Sequence, residues 1–285
     1  MPGFFRKLFH EMVFRHFFIS GCAVSMIFAT QLLNHSTIYF SPYVFFLGGA
    51  TFLIYNFHTE SFYLDYSGWR AFVQSVKNRN LPLIDYFFYI SAALITSVFF
   101  LMLSNSVKLF LIPLAAMTLL YSIPFWGYRK RKLRELLFVK IPLLSLIWAL
   151  TTVIVPAVEQ NINPWQPFVL LQFVCRFLFI FALCVPFEIR DVEIDRSKNV
   201  RTIPVVYGTM ATRNTGIILL VVEMIFHHFM PAGMTVRLAL DLSSAFGIIW
   251  ILLQKEEMSG YFFKFLVDGT MILRFLFVYL ALRLL

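Results

Sequence analysis

Nine runs of largely apolar residues follow one another along the chain with only short polar connections between them, at approximately 14–33, 42–58, 83–103, 107–126, 136–157, 166–187, 212–230, 233–253 and 265–284. Each is close to the ~20 residues that an α-helix needs to cross a bilayer. Inside hydrocarbon the backbone must satisfy its own polar groups, which leaves helices or closed barrels, and apolar runs of this length select helices. The expectation is an all-α, polytopic membrane protein with a nine-transmembrane-helix bundle. It forms a single domain over 1–285, because no polar stretch is long enough to build a second. With 14% charged residues, the chain falls well short of the roughly one quarter found in soluble domains.

The first run is followed by Gln31, Asn34 and His35 rather than by a small-residue cleavage site, so it is expected to stay as a membrane helix. Cys22, Cys175 and Cys184 lie inside apolar runs without CxxC spacing, which suggests neither a disulfide framework nor a zinc site and points to packing. The formal charge of +9 raises the question of nucleic acid, but its distribution answers it. Arg6 and Lys7, then Arg70, Lys77 and Arg79, then Arg129–Lys132 with Arg134, then Arg190, Arg196, Lys198 and Arg201, then Lys255 and Lys264 fall on alternate connections, with Lys108 the exception. This is a positive-inside pattern: it predicts a cytoplasmic N-terminus and fits a bacterial inner membrane, with membrane lipid and no nucleic acid as partner.

Directly after the sixth run stands Glu188-Ile189-Arg190-Asp191-Val192-Glu193-Ile194-Asp195. The i,i+4 spacing puts the carboxylates of Asp191 and Asp195 on one helical face, with Glu188 a turn earlier. Ionisable groups at the edge of hydrocarbon are costly and tend to mark a site. Paired carboxylates suit a hard divalent cation such as Mg²⁺; a helix-end charge cluster at the headgroup boundary is the alternative.

The connection after span two must lie on the same side, because four helices separate it from the connection after span six. It opens with Asn56-Phe57-His58-Thr59-Glu60, where Asn56 and Glu60 are again i,i+4, while Asp65 is rotated away by about 140° on an ideal helix. If the bundle closes into a ring, the two acidic stretches face one cavity. Opposed carboxylates joined by metal ions, with nearby Lys or Arg, form a device for diphosphate chemistry. Arg190, Lys198, Arg201 and the Arg129–Lys132 run are the cations on that side; a polar helix end that caps itself is the alternative for Asn56, His58 and Glu60.

Three further charges fall within spans: Arg176, Glu223 and Asp241. Pairing of Arg176 with one of the acids is the structural reading, and a proton or ion path is the functional one. His227 and His228 point about 100° apart on a helix, which argues against a chelate and for polar termination at the interface. The 35 Phe, 12 Tyr and 5 Trp suit lipid packing and interfacial belts, and their faces can also shield a cation.

The stretch from Arg190 to Gly208, with its acidic pair and the later Arg201-Thr202-Ile203-Pro204-Val205 and glycine, resembles the second aspartate motif of the UbiA superfamily of intramembrane prenyltransferases. Leu120-Tyr121-Ser122 followed by the basic Arg129 region is similar to that family's segment between its fourth and fifth helices. The resemblance implies a UbiA-like fold of nine helices and a Mg²⁺-dependent transfer of a prenyl group from an isoprenyl diphosphate to a hydrophobic acceptor (aromatic, quinone-precursor or lipid). It implies that Asp191 and Asp195 are catalytic and bind metal, with Glu60 as a further metal ligand. Asn56, Glu60, Tyr121, Arg129, Lys198 and Arg201 would bind substrate. The family's first motif, Asn-x-x-x-Asp-x-x-x-Asp, is met here by Asn56, Glu60 and Leu64, so its last carboxylate is missing. That departure supports a second expectation, a non-catalytic relative binding an isoprenoid or lipid. An ion-coupled transporter through Arg176, Glu223 and Asp241 is the third.

Overall fold

The structure is a computed structural model that describes residues 9–62, 83–122, 138–197, 199–255 and 257–283. Its helices are α1 Phe17–His35, α2 Pro42–Phe62, α3 Leu83–Met102, α4 Asn105–Ser122, α5 Lys140–Glu159, α6 Pro167–Arg190, α7 Val192–Ser197, α8 Ile203–Tyr207, α9 Thr209–His227, α10 Met234–Leu253 and α11 Phe262–Arg283. Seven of them, α1, α3, α5, α6, α9, α10 and α11, are long and apolar enough to cross a membrane. The second and fourth expected spans correspond to α2 and α4, whose apolar stretches are shorter, Pro42–Phe57 and Asn105–Tyr121. The molecule is an all-helical integral membrane protein.

Proline starts α2 and α6, where its missing N–H is an orphan in any case and its fixed φ suits the first turn. Within α6, Pro186 removes one donor to the preceding turn, and the helix runs only one turn further before breaking at Asp191 (φ −86°, ψ 2°). Two helices contain a π turn: Leu150–Ile154 in the middle of α5 and Phe262–Val267 at the start of α11. Such turns insert a residue and re-aim the side chains around them.

The long helices pack in sequence around a common core. α1 lies against α2, α11 and the middle of α5; α5 against α6; α6 against α9; α9 against α10; and α10 against α11, which brings the last helix back to the first. Gly216 of α9 permits close approach to α6, since a Cβ there would sit 3.1 Å from the side chains of Val185 and Ile251. The outer faces of α3 and α4 expose Ile90, Leu94, Leu101, Leu109 and Ile112. Large apolar side chains facing outward carry no penalty where the surrounding solvent is lipid.

Polar groups are buried between these helices, and they differ from the sequence expectation. Arg176 pairs with neither Glu223 nor Asp241: its guanidinium donates to the Met26 carbonyl (3.1 Å), Thr152 Oγ1 (2.9 Å) and Thr30 Oγ1 (3.3 Å). Thr152 lies within the π turn of α5. Glu223 is paired instead with Arg274 of α11, at 2.6 and 3.2 Å. His227 is fully buried, not at an interface. Its ring bridges Glu223 (Nε2 to Oε1, 3.1 Å) and Asp241 (Nδ1 to Oδ1, 2.8 Å), while His228 reaches the other Asp241 oxygen at 3.2 Å. Arg176 and the Glu223 network are thus separately satisfied.

Candidate functional site

Where α6 ends, its last turn carries Glu188 and Arg190, and the chain re-enters a helix one residue later. The backbone N–H of Asp195 still donates to the Asp191 carbonyl (2.9 Å), so the i,i+4 relation survives the break. The side chains nevertheless take different partners. Asp191 accepts two bonds from Arg190, Nε to Oδ1 at 2.7 Å and Nη2 to Oδ2 at 3.1 Å. Asp195, nearly buried, turns to Lys140 at the start of α5: Nζ to Oδ2 is 3.3 Å, and the same Nζ lies 2.8 Å from Glu188 Oε1. Lys140 therefore bridges two carboxylates of the acidic stretch. Glu193 points outward and pairs with Arg196 at 2.7 Å.

Arg190 is held from its other side as well, with its guanidinium 4.8 Å from the Phe263 ring and 5.3 Å from that of Phe187. Phe263 belongs to the π turn of α11, which also bears Lys264 and precedes Asp268. Lys264 Nζ lies 4.8 Å from the centre of the Phe14 ring, and the backbone carbonyl of Asp268 accepts from Cys22 Sγ at 3.3 Å. Tyr121 is buried at the end of α4. Tyr55 packs edge-on against Trp148 of α5, with ring centroids 6.4 Å apart. The ends of α2, α4, α5, α6 and α11 thus gather acids, cations and aromatic faces at one end of the bundle. Beside them His16 is buried, and burial, aided by the Lys264 cation, lowers its pKa from 6.5 to about 4.

Beyond Asp195 the chain folds back. Val200 N–H donates to the Asp195 carbonyl at 2.9 Å, and α8 follows. Gly208 (φ +86°, ψ 161°) makes the turn into α9, a conformation that side-chain-bearing residues rarely adopt. This return places Arg201, Thr202 and Ile203 beside Lys140, Glu188, Phe138, Ile141 and Pro142, where they line a small recess. Thr202 is almost wholly buried, and its Oγ1 has no hydrogen-bond partner.

The expected site residues therefore divide. Asp191, Asp195, Tyr121 and Arg201 fall at this end of the bundle. Asn56 follows Tyr55 in α2 and is hydrogen-bonded within the protein: its Nδ2 donates to the carbonyls of Phe52 (2.8 Å) and Arg15 (3.4 Å), and its Oδ1 accepts from Tyr89 at 3.4 Å. Arg129, Lys198, Leu64, Asp65 and the side chains of His58 and Glu60 lie outside the described residues. Sequence reasoning read Lys264 only as part of the positive-inside pattern and passed over Lys140, Asp268 and Arg274. The available signal was the same as for Arg176, a charged residue inside or at the edge of an apolar run.

Carboxylate oxygens are the donors a hard divalent ion takes, yet the described ones do not form a metal centre as placed. Asp191 is committed to Arg190, and Glu188 and Asp195 to Lys140. Among the described residues no group of three or more His, Cys, Asp or Glu is gathered to hold a metal.

No family model matches the sequence, and no curated protein matches it. A solved structure does match in shape, a UbiA homolog from Archaeoglobus fulgidus bound to GPP and Mg²⁺. It superposes with a TM-score of 0.58 over 96% of this chain and 97% of that one, at 11% identity. Over essentially its whole length, the chain has the fold of that UbiA homolog.

Proposed function

We propose that this protein is a UbiA-type prenyltransferase that takes its donor, an isoprenyl diphosphate, at the end of the bundle where Asp191 and Asp195 stand, and passes the prenyl group to a hydrophobic acceptor within the membrane. The observation that carries the reading is the pairing of Glu188 and Asp195 with Lys140 and of Asp191 with Arg190, with Arg201 lining the same recess as Lys140 and Glu188. The UbiA homolog of the same fold was solved with GPP and Mg²⁺, and that supports a donor of this class. The asymmetry of basic residues would place this end on the cytoplasmic side.

Each group has a task in such a reaction. The cations Lys140, Arg190 and Arg201 would neutralise diphosphate charge as the bond between prenyl C1 and the diphosphate oxygen breaks and its electron pair leaves with the diphosphate. Electrostatic stabilisation of a leaving group in a site sheltered from water is the largest lever available here. The faces of Tyr55, Tyr121 and Trp148 would shelter the allylic cation. The acceptor's nucleophilic atom then bonds to C1 and loses its proton. A divalent ion at Asp191 and Asp195 would first have to draw them from Arg190 and Lys140, so no step is routed through a metal.

A second reading is a binding protein of the same fold that performs no transfer. It is favoured by one observation: the described motif carboxylates, Glu188, Asp191 and Asp195, are already neutralised by internal cations. The test is turnover. Purified protein in lipid nanodiscs is given geranyl, farnesyl or geranylgeranyl diphosphate with quinone-precursor, aromatic or lipid acceptors, and released diphosphate and prenylated product are measured for wild type and Asp191→Asn. Acceptor-dependent turnover lost in Asp191→Asn supports the transferase; donor binding with no turnover across the acceptor panel supports the binding protein.

A further inference from the structure

At the end of the bundle opposite Asp191, one histidine is held in a way that calls for an extra proton. His227, the last residue of α9, is wholly buried, and each of its ring nitrogens meets a carboxylate oxygen. Nδ1 lies 2.8 Å from Asp241 Oδ1 of α10, and Nε2 lies 3.1 Å from Glu223 Oε1, one turn back in α9. A neutral imidazole carries a single N–H, and an ionised carboxylate can only accept. With a neutral ring, one of the two contacts would set a nitrogen lone pair against a carboxylate oxygen where no water can screen it. With one more proton both contacts are charge-assisted hydrogen bonds. The ring is the most basic of the three groups, so the proton rests there.

The side chains packed around the trio do not supply the missing donor. From α11, Arg274 donates to both oxygens of Glu223 (2.6 and 3.2 Å), and from α10, Ser244 donates to Glu223 Oε2 (2.7 Å). Arg237 of α10 is turned to the Ala232 carbonyl at 2.8 Å. From α6, Cys175 joins the apolar cluster of Leu240, and Arg176 is committed to Met26, Thr30 and Thr152. Among the described residues, Asp241 has only His227 and His228 as partners. The second of these is the way out: His228 Nε2 lies 3.2 Å from Asp241 Oδ2, and its side chain is half exposed. A hydrogen-bonded line thus runs from water through His228 and Asp241 to the buried ring and Glu223. It stops at Arg274, which donates and cannot accept. A proton that enters is stored and not passed across the membrane.

We infer that Glu223, His227 and Asp241 form a proton-binding site, filled and emptied through His228 from the face of the bundle opposite Asp191, and that the bound proton latches α9 to α10. The inference stands apart from the proposed function, since no substrate enters this site. When the proton leaves, a ring with one N–H faces two carboxylates, and the α9–α10 contact loses a charge-assisted hydrogen bond. The sign follows from the proton count. Above about pH 6.5 an unfolded histidine gives up its proton while the latch keeps one, so the latch's contribution to stability is present at lower pH and is lost as pH rises. That window lies above the interval between about 4 and 6.5 in which His16 acts.

The test uses the full chain in nanodiscs, labelled with [¹⁵N]histidine, at pH 8, where an ordinary histidine is neutral. Nuclear magnetic resonance of wild type should show one histidine whose two ring nitrogens resonate together, both protonated. In Asp241→Asn the amide can donate to Nδ1, so the same ring should return to the widely split pair of a neutral imidazole. The resonance is assigned by its absence from His227→Gln/Asp241→Asn, in which one acid and one cation are removed together so that the interior keeps its charge balance. Between pH 6.5 and 9 the melting temperature of wild type should fall, and that of Asp241→Asn should stay level. Deuterium exchange of the His227 N–H groups should slow in His228→Gln. A neutral His227 ring in wild type, or melting profiles of wild type and Asp241→Asn that run parallel, would overturn the site. Exchange no slower in His228→Gln would overturn the route to it.

Discussion

Deep in the bundle, Arg274 of α11 holds Glu223 of α9 with two N–H donors at 2.6 and 3.2 Å, while its guanidinium lies 3.3 Å from the centre of the Phe179 ring. Ser243 and Ser244 of α10 accept two further bonds from it, each at 2.8 Å, and Ser244 Oγ also lies 2.7 Å from Glu223 Oε2. The pair thereby ties together α6, α9, α10 and α11, the half of the bundle that carries Asp191 and Phe263. Removing one partner strands the other charge in a dry interior, a loss of about 3–5 kcal/mol, whereas replacing both with apolar groups is nearly neutral. Arg274→Met should therefore lower the melting temperature in detergent strongly, and Arg274→Met/Glu223→Leu should recover most of the loss. Additive losses in the double variant would show that the pair is not coupled as its geometry indicates.

A pH dependence follows from His16. Its folded-state pKa of about 4 lies below the ordinary 6.5 because it is buried with the Lys264 cation nearby. Between those values the unfolded chain binds a proton that the folded chain does not. Stability is then full above pH 6.5, declines as pH falls, and loses no more from this group below pH 4, with a total of at most about 3 kcal/mol. His16→Gln should flatten the melting profile over that interval relative to wild type. Parallel profiles for the two proteins would contradict the assignment.

The turn at Gly208 makes a local prediction. At φ +86°, alanine is strained by about 1–3 kcal/mol, and the strain falls on the return that carries Arg201 and Thr202. Gly208→Ala should weaken binding of an isoprenyl diphosphate while leaving the protein folded. A loss of global stability with unchanged isoprenyl diphosphate affinity would show that the turn does not shape the proposed donor site.

What the sequence discloses here follows its physical constraints. Apolar runs of near-span length declared the helices, because a bilayer admits little else, and the acidic stretch after the sixth run marked the end of α6. The partners of those acids were not legible. Helical spacing put Asp191 and Asp195 on one face, and the i,i+4 backbone bond is kept, yet the first pairs with Arg190 and the second reaches across to Lys140, 55 residues away in sequence. The conspicuous cations of Arg129–Lys132 drew attention from Lys140, a single basic residue at the edge of an apolar run. Arg176 and Glu223 were visible as buried charges, yet spacing cannot say that Glu223 prefers Arg274, 51 residues away, or that Arg176 is satisfied by Thr30, Thr152 and a carbonyl. The hydrogen-bond partners of Asn56 were hidden for a related reason. A side-chain amide four residues after Phe52 can bond back to its own helix, and here it does.

The most direct test of the account is binding of a non-hydrolysable geranylgeranyl diphosphate analogue to the purified protein, wild type beside Asp191→Asn and Lys140→Met, each confirmed folded by its melting curve, with Mg²⁺ and with EDTA. The account predicts saturable binding to wild type that is impaired in Lys140→Met and in Asp191→Asn. Binding unaffected by either substitution, or none to wild type in any condition, would contradict it.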